Sequence, residues 1–145
     1  MIPLLAVLLC TVFCLLGILH FYWAAGGEWA LADAMTPTMK ASINTPSRQV
    51  SFRILTVIVG VGLVLMGYLM LANWRGYLPE WLAPILPWAT LAVAGIFTIR
   101  AIGDFREVGL FQGEPVSEFS RRDKRIYSPL CVGLALGAYL LWWGA

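Results

Sequence analysis

Apolar residues gather into four blocks along the chain, and the charged residues are confined to the segments between them. The blocks run over 3–25, 54–72, 81–99 and 126–145, and none contains Asp, Glu, Lys or Arg. Each is about twenty residues, the length a helix needs to cross the hydrocarbon core of a bilayer. Backbone groups in lipid must bond within their own segment, so each block is expected to be helical. The pattern predicts an all-α fold: one membrane domain over 1–145, a four-transmembrane-helix bundle with two long cytoplasmic loops.

Composition points the same way. With 60% hydrophobic and only 12% charged residues and a mean hydropathy of +0.79, a water-soluble domain of this size could not hide its apolar surface. The basic residues supply an orientation. Lys40, Arg48 and Arg53 follow the first block, Arg75 the second, and Arg100, Arg106, Arg121, Arg122, Lys124 and Arg125 the third. Nine of the ten thus fall on one face, which the resistance of Lys and Arg to translocation makes cytoplasmic, with both chain ends outside. Acids are interspersed, among them Asp33, Glu107, Glu114 and Glu118, and the net charge is only +2; this mixture argues against nucleic acid as a partner. Membrane lipids are the expected partner, because the run Arg121, Arg122, Lys124, Arg125 would attract anionic headgroups.

Within the blocks, glycines need an explanation other than turns. Gly60, Gly67, Gly133 and Gly137 are expected to let helices approach closely, Gly133 and Gly137 as a small-xxx-small pair facing a neighbouring helix or a second copy of the chain. Pro84 and Pro87 fall in the opening turns of the third block, where a missing amide hydrogen costs little. Trp74, Tyr77, Trp81, Trp142 and Trp143 mark the outer boundary and Tyr22, Trp23, Trp29 and Tyr127 the inner one, as an interfacial belt requires. The first block is expected to stay uncleaved, since no basic residue precedes it and it exceeds the apolar region of a signal peptide. Cys10, Cys14 and Cys131 lie inside blocks and read as packing residues.

Depth along the helices singles out a candidate polar site at the inner ends: His20, Trp23, Arg100, Asp104 and Tyr127, with Arg53, Glu28 and Asp33 close by in sequence. Asp104 follows Arg100 by four residues, so the two would pair if the third helix continued. Ser120, three residues before Asp123, resembles a cap for the fourth helix. The first and third loops each exceed twenty residues, long enough to fold over a cleft between the helix ends. His20 is the only histidine, which excludes His-rich di-iron enzymes and leaves no zinc ligand set, so neither metal nor cofactor is expected. No phosphate-binding loop, dinucleotide fingerprint or nucleophile elbow occurs.

His20-Phe21-Tyr22-Trp23-Ala24-Ala25-Gly26-Gly27, Arg100-Ala101-Ile102-Gly103-Asp104-Phe105-Arg106, Gly109-Leu110-Phe111, and Asp123 followed by Tyr127-Ser128-Pro129-Leu130-Cys131 together resemble the small bacterial four-helix membrane proteins known as domain of unknown function 3995. A Lys is usual in that pattern where Gln112 stands and a Thr where Ser117 stands. The resemblance covers nearly the whole chain, adds Arg106 to the candidate site, and implies a location in the bacterial inner membrane. It brings no activity, cofactor or partner. Three functions remain open, in this order: a non-catalytic accessory or scaffold subunit packed against other membrane proteins, a small lipid- or isoprenoid-binding protein or enzyme using the inner helix ends, and a transporter working as a homodimer.

Overall fold

A computed structural model describes residues 2–75, 79–106, 108–113 and 117–144. Tyr77, Glu107, Glu114, Pro115, Ala145 and the side chains of Trp74 and Arg75 lie outside the described residues. Among those described there is no strand. Helix α1 spans Ile2–Ala24, and two short helices, α2 (Leu31–Ala34) and α3 (Pro37–Ser42), lead into α4, Pro46–Arg75. A 3-10 turn at Ala83–Ile85 opens α5, Leu86–Ile102; α6 (Glu118–Arg122), a π-helical turn (Asp123–Tyr127) and α7 (Ser128–Trp143) then form one continuous helical stretch. Four helices are long and apolar enough to cross a membrane: Ile2–Ala24, Pro46–Asn73, Ala83–Ile102 and Glu118–Trp143.

Apart from the last turn of α4, which reaches Arg75, helical structure runs beyond the apolar blocks at three points. Pro46, with its φ preset for the first helical turn, starts α4 eight residues before Ile54, so Arg48 and Arg53 ride on the helix. Helix α5 continues to Ile102 until Gly103 turns the chain with φ 81°. The fourth helix begins at Glu118, eight residues ahead of Ile126.

Packing is organised as two antiparallel pairs, α1 with α4 and α5 with α7, closed around a common core. The first pair approaches through small residues. A Cβ on Gly60 would lie 3.2 Å from the Gly17 carbonyl oxygen and 2.8 Å from the Phe21 ring, and one on Gly67 would lie 3.1 Å from Phe13 Cβ. Gly137 meets Leu9 of α1 in the same way, at 2.8 Å, whereas Gly133 faces open space. At the centre the fully buried Phe13 sets its ring edge against Phe97, centroids 5.3 Å apart. The outer faces are as apolar as the interior: Leu4, Leu15, Ile54, Ile58, Leu65 and Ile99 are all more than half exposed, a surface suited to lipid and not to water. Threonine hydroxyls within these helices are satisfied by the preceding turn, as where Thr90 Oγ1 donates to the Leu86 carbonyl at 3.0 Å.

Phe13→Ala should lower stability by about 3 kcal/mol through the cavity it leaves, whereas Gly133→Ala should change it by less than about 0.5 kcal/mol. Thermal melting of both variants in detergent, followed by circular dichroism, measures the contrast.

Candidate functional site

Where α5 ends, the chain reverses on two glycines. Gly103 donates its N–H to the Ile99 carbonyl at 2.9 Å, and Leu110 donates back to Ala101 at 2.8 Å. Gly103 (φ 81°) and Gly109 (φ 99°) both occupy the left-handed region, and side chains there would overlap the Val108 and Ile102 carbonyls respectively. Asp104 holds the turn from within, its Oδ1 accepting the N–H groups of Arg106 and Val108, each at 2.9 Å. Asp104 thus acts as a turn-forming Asx residue.

The carboxylate that meets Arg100 is Asp123. Arg100 Nη2 donates to Asp123 Oδ1 at 2.6 Å, while Oδ2 accepts from the Gly109 N–H at 2.6 Å and from Ser128 Oγ at 2.8 Å. Asp123 is fully buried, and three donors from three segments stand in for the water it has lost. This corrects the expected pairing of Arg100 with Asp104. The helix that would have carried both residues stops at Ile102, so the spacing of four no longer sets them on one face. The expected Ser120 cap is corrected too: Ser117 Oγ accepts the Ser120 N–H at 3.0 Å and starts α6, leaving Asp123 for the clasp.

Immediately after Asp123 the helix widens into a π turn, with the Ser128 N–H bonding the Asp123 carbonyl. Pro129 follows in the first turn of α7. Its ring would collide with the carbonyl four residues back in a regular helix, and the wider turn relieves that crowding. Gln112 folds against the same stretch, its Nε2 donating to the Ser120 carbonyl at 2.9 Å. Tyr127 stacks obliquely near Phe119, ring centroids 6.4 Å apart. One ion pair ties the two long loops together: Arg122 Nη1 lies 2.9 Å from Asp33 Oδ2 of α2.

On the other side of the same end, α1 and α4 diverge under the first loop. His20 Nδ1 lies 2.7 Å from the Leu16 carbonyl; a carbonyl only accepts, so Nδ1 is the donor. Its ring packs on Trp23, centroids 5.0 Å apart, and Trp23 Nε1 donates to the Trp29 carbonyl at 2.9 Å. Gly27 accommodates the Tyr22 ring, which any Cβ there would overlap. Two adjoining cavities result. The first, about 210 Å³, is walled by His20, Trp23, Met35, Met39, Phe52, Leu55, Thr56 and Val59 among others. The second, about 310 Å³, shares Trp23, Leu31, Met35 and Phe52 with it and adds Glu28, Gln49 and Arg53.

The candidate residues are accordingly divided between two places. His20, Trp23 and Glu28 line the cavities with Arg53. Arg100 joins the buried clasp, Asp104 and Arg106 belong to its turn, and Tyr127 sits at the π turn; neither cavity is lined by Arg100, Asp104 or Tyr127. The first and third loops do meet, through Asp33 and Arg122, but they do not roof one shared cleft. No group of three or more His, Cys, Asp and Glu side chains that could hold a metal occurs among the described residues.

The residues of the clasp, Arg100, Gly103, Asp104, Gly109, Asp123 and Ser128, are those of the strings that carry the family likeness, and the family model for proteins of unknown function, DUF3995, matches residues 13–138. The chain belongs to this family. Neither a curated protein nor a solved structure matches it. Of the DUF3995 strings, those from Arg100 onward meet in the clasp, while His20 and Trp23 of the first line the cavities. Asp123, Ser128 and Gly109 are the site residues that spacing alone missed, and one signal was present: Asp123 is the only acid in the run Arg121 to Arg125.

Asp123→Ala, which strands the Arg100 guanidinium, should cost about 3 kcal/mol or more. The Arg100→Leu, Asp123→Leu double variant should recover a large part of that loss, and Asp104→Ala should cost only about 1 kcal/mol. Detergent melting temperatures of the three variants rank them.

Proposed function

We propose that this protein is a non-catalytic amphiphile-binding protein of the bacterial cytoplasmic membrane, with its ligand held between α1, α4 and the first loop. The observation that carries the reading is a pair of neighbouring cavities that share Trp23, Leu31, Met35 and Phe52, one with an almost wholly apolar lining and one lined also by Glu28, Gln49 and Arg53. An apolar space beside a polar one matches a ligand with a tail and a head. Both cavities lie at the end of the helices that carries nine of the ten basic residues, which by charge bias is the cytoplasmic face. Catalysis is disfavoured because the one hydrogen bond of His20 among the described residues goes to a backbone carbonyl, so no acid orients it as a general base. A role as an accessory subunit has a narrower basis, the open face at Gly133 of α7, which leaves room for close approach by another helix.

Native mass spectrometry of the full chain released from mild detergent should detect a retained amphiphile. Ala34→Trp, which fills the apolar cavity, should abolish retention while leaving the melting temperature close to that of the parent. Loss of binding only through unfolding, or no retained amphiphile in the parent, would remove the proposal. Alkaline phosphatase fused after residue 145 should be active and a fluorescent protein there dark; the reverse would move the cavities to the outer face.

A further inference from the structure

The polar cavity contains one acid and one base that do not close on each other. Glu28 and Arg53 line the same 310 Å³ space, yet the ion pairs among the described residues are Arg100 with Asp123, Arg121 with Glu118, and Arg122 with Asp33 and Glu118. Opposite charges sharing a cavity without pairing present one position for an anion and one for a cation. The Arg53 guanidinium lies over the Gly26 turn, where an added Cβ would stand 3.8 Å from Nη2, and a planar guanidinium bonds two phosphate oxygens at once. Glu28 offers only acceptors, which suits an ammonium with hydrogens to donate. Gln49 can serve either group. The Trp23 indole, fixed by its bond to the Trp29 carbonyl, forms the wall shared with the apolar cavity beside His20.

We infer that the two neighbouring cavities bind a phospholipid whose headgroup carries a phosphate and a primary ammonium, with the phosphate on Arg53, the ammonium on Glu28 and part of one acyl chain in the cavity beside His20. This rests on the amphiphile reading above and deepens it. A phosphocholine head would lose the hydrogen bonds to Glu28, and a phosphoglycerol head would leave that carboxylate facing no cation.

The test uses the full chain in nanodiscs, offered defined lipids and read by lipid exchange in native mass spectrometry. Phosphatidylethanolamine should be retained over phosphatidylglycerol and phosphatidylcholine by about tenfold, the value of one charge-assisted hydrogen bond. Glu28→Gln should erase the preference over phosphatidylglycerol without reducing total lipid bound. Arg53→Gln should weaken all three phospholipids together. Equal retention of the three lipids by the parent, or an unchanged preference in Glu28→Gln, overturns the headgroup assignment while leaving the amphiphile reading standing; no retained lipid of any kind overturns both. Soluble phosphoethanolamine separates the two sources of this chemistry. Its failure to compete at concentrations where the lipid exchanges supports the membrane lipid, and competition as effective as the lipid's assigns the free headgroup and overturns the acyl-chain part.

Discussion

A carboxylate removed from water must find its replacement ligands in the protein, and Asp123 does so by recruiting the end of α5, the third loop and the start of α7 at once. Its burial is tolerable only while all three segments keep their places. The geometry of the polar end follows from this. Gly103 and Gly109 exist in left-handed conformations so that the Gly109 amide can point at the carboxylate, Asp104 pins the turn between them, and Ser128 approaches from the first turn of α7. The α5–α7 half is in this way fixed by hydrogen bonds.

The α1–α4 half is fixed differently. Its helices are drawn together by small residues, Gly17 against Gly60 and Gly67 against Phe13, and the close approach ends where the first loop begins. Beyond that point α1, α4 and the first loop line the two cavities, with Trp23, Met35 and Phe52 on the walls of both. The two halves are joined at the loops by Asp33 and Arg122. The amphiphile site proposed for the α1–α4 half draws on Glu28 and Arg53, charges that the clasp does not use.

Four uncharged blocks of bilayer-spanning length permit one physical outcome, and the four long helices were legible for that reason. Depth was legible too: His20, Arg53, Arg100 and Tyr127 do sit at one end. What depth cannot supply is the angle around the bundle, and the pairing of α1 with α4 and of α5 with α7 sends His20 and Arg100 to different sides. Local spacing misled where a helix stopped short. Arg100 and Asp104 face together only on an unbroken helix, and the true partner, Asp123, lies 23 residues away in sequence. The helix start was misjudged by three residues for a related reason, since Ser117 and Ser120 are both chemically able to cap and only the burial of Asp123 decides between them.

The π turn at Asp123–Tyr127 sets the phase between α6 and α7. One residue more than a regular turn holds is accommodated there, and in a helix of 3.6 residues per turn one residue corresponds to about 100° of rotation. Deleting a single residue from this turn would leave every apolar side chain of α7 in its present groove while swinging α6 about a quarter of the way around its axis. Arg122 would then point away from α2, and the two halves of the molecule would lose their ion pair without any change in the residues that form it. The length of that turn is thus a coupling constant between the clasp and the first loop, written into the chain as a count of residues and not as a contact.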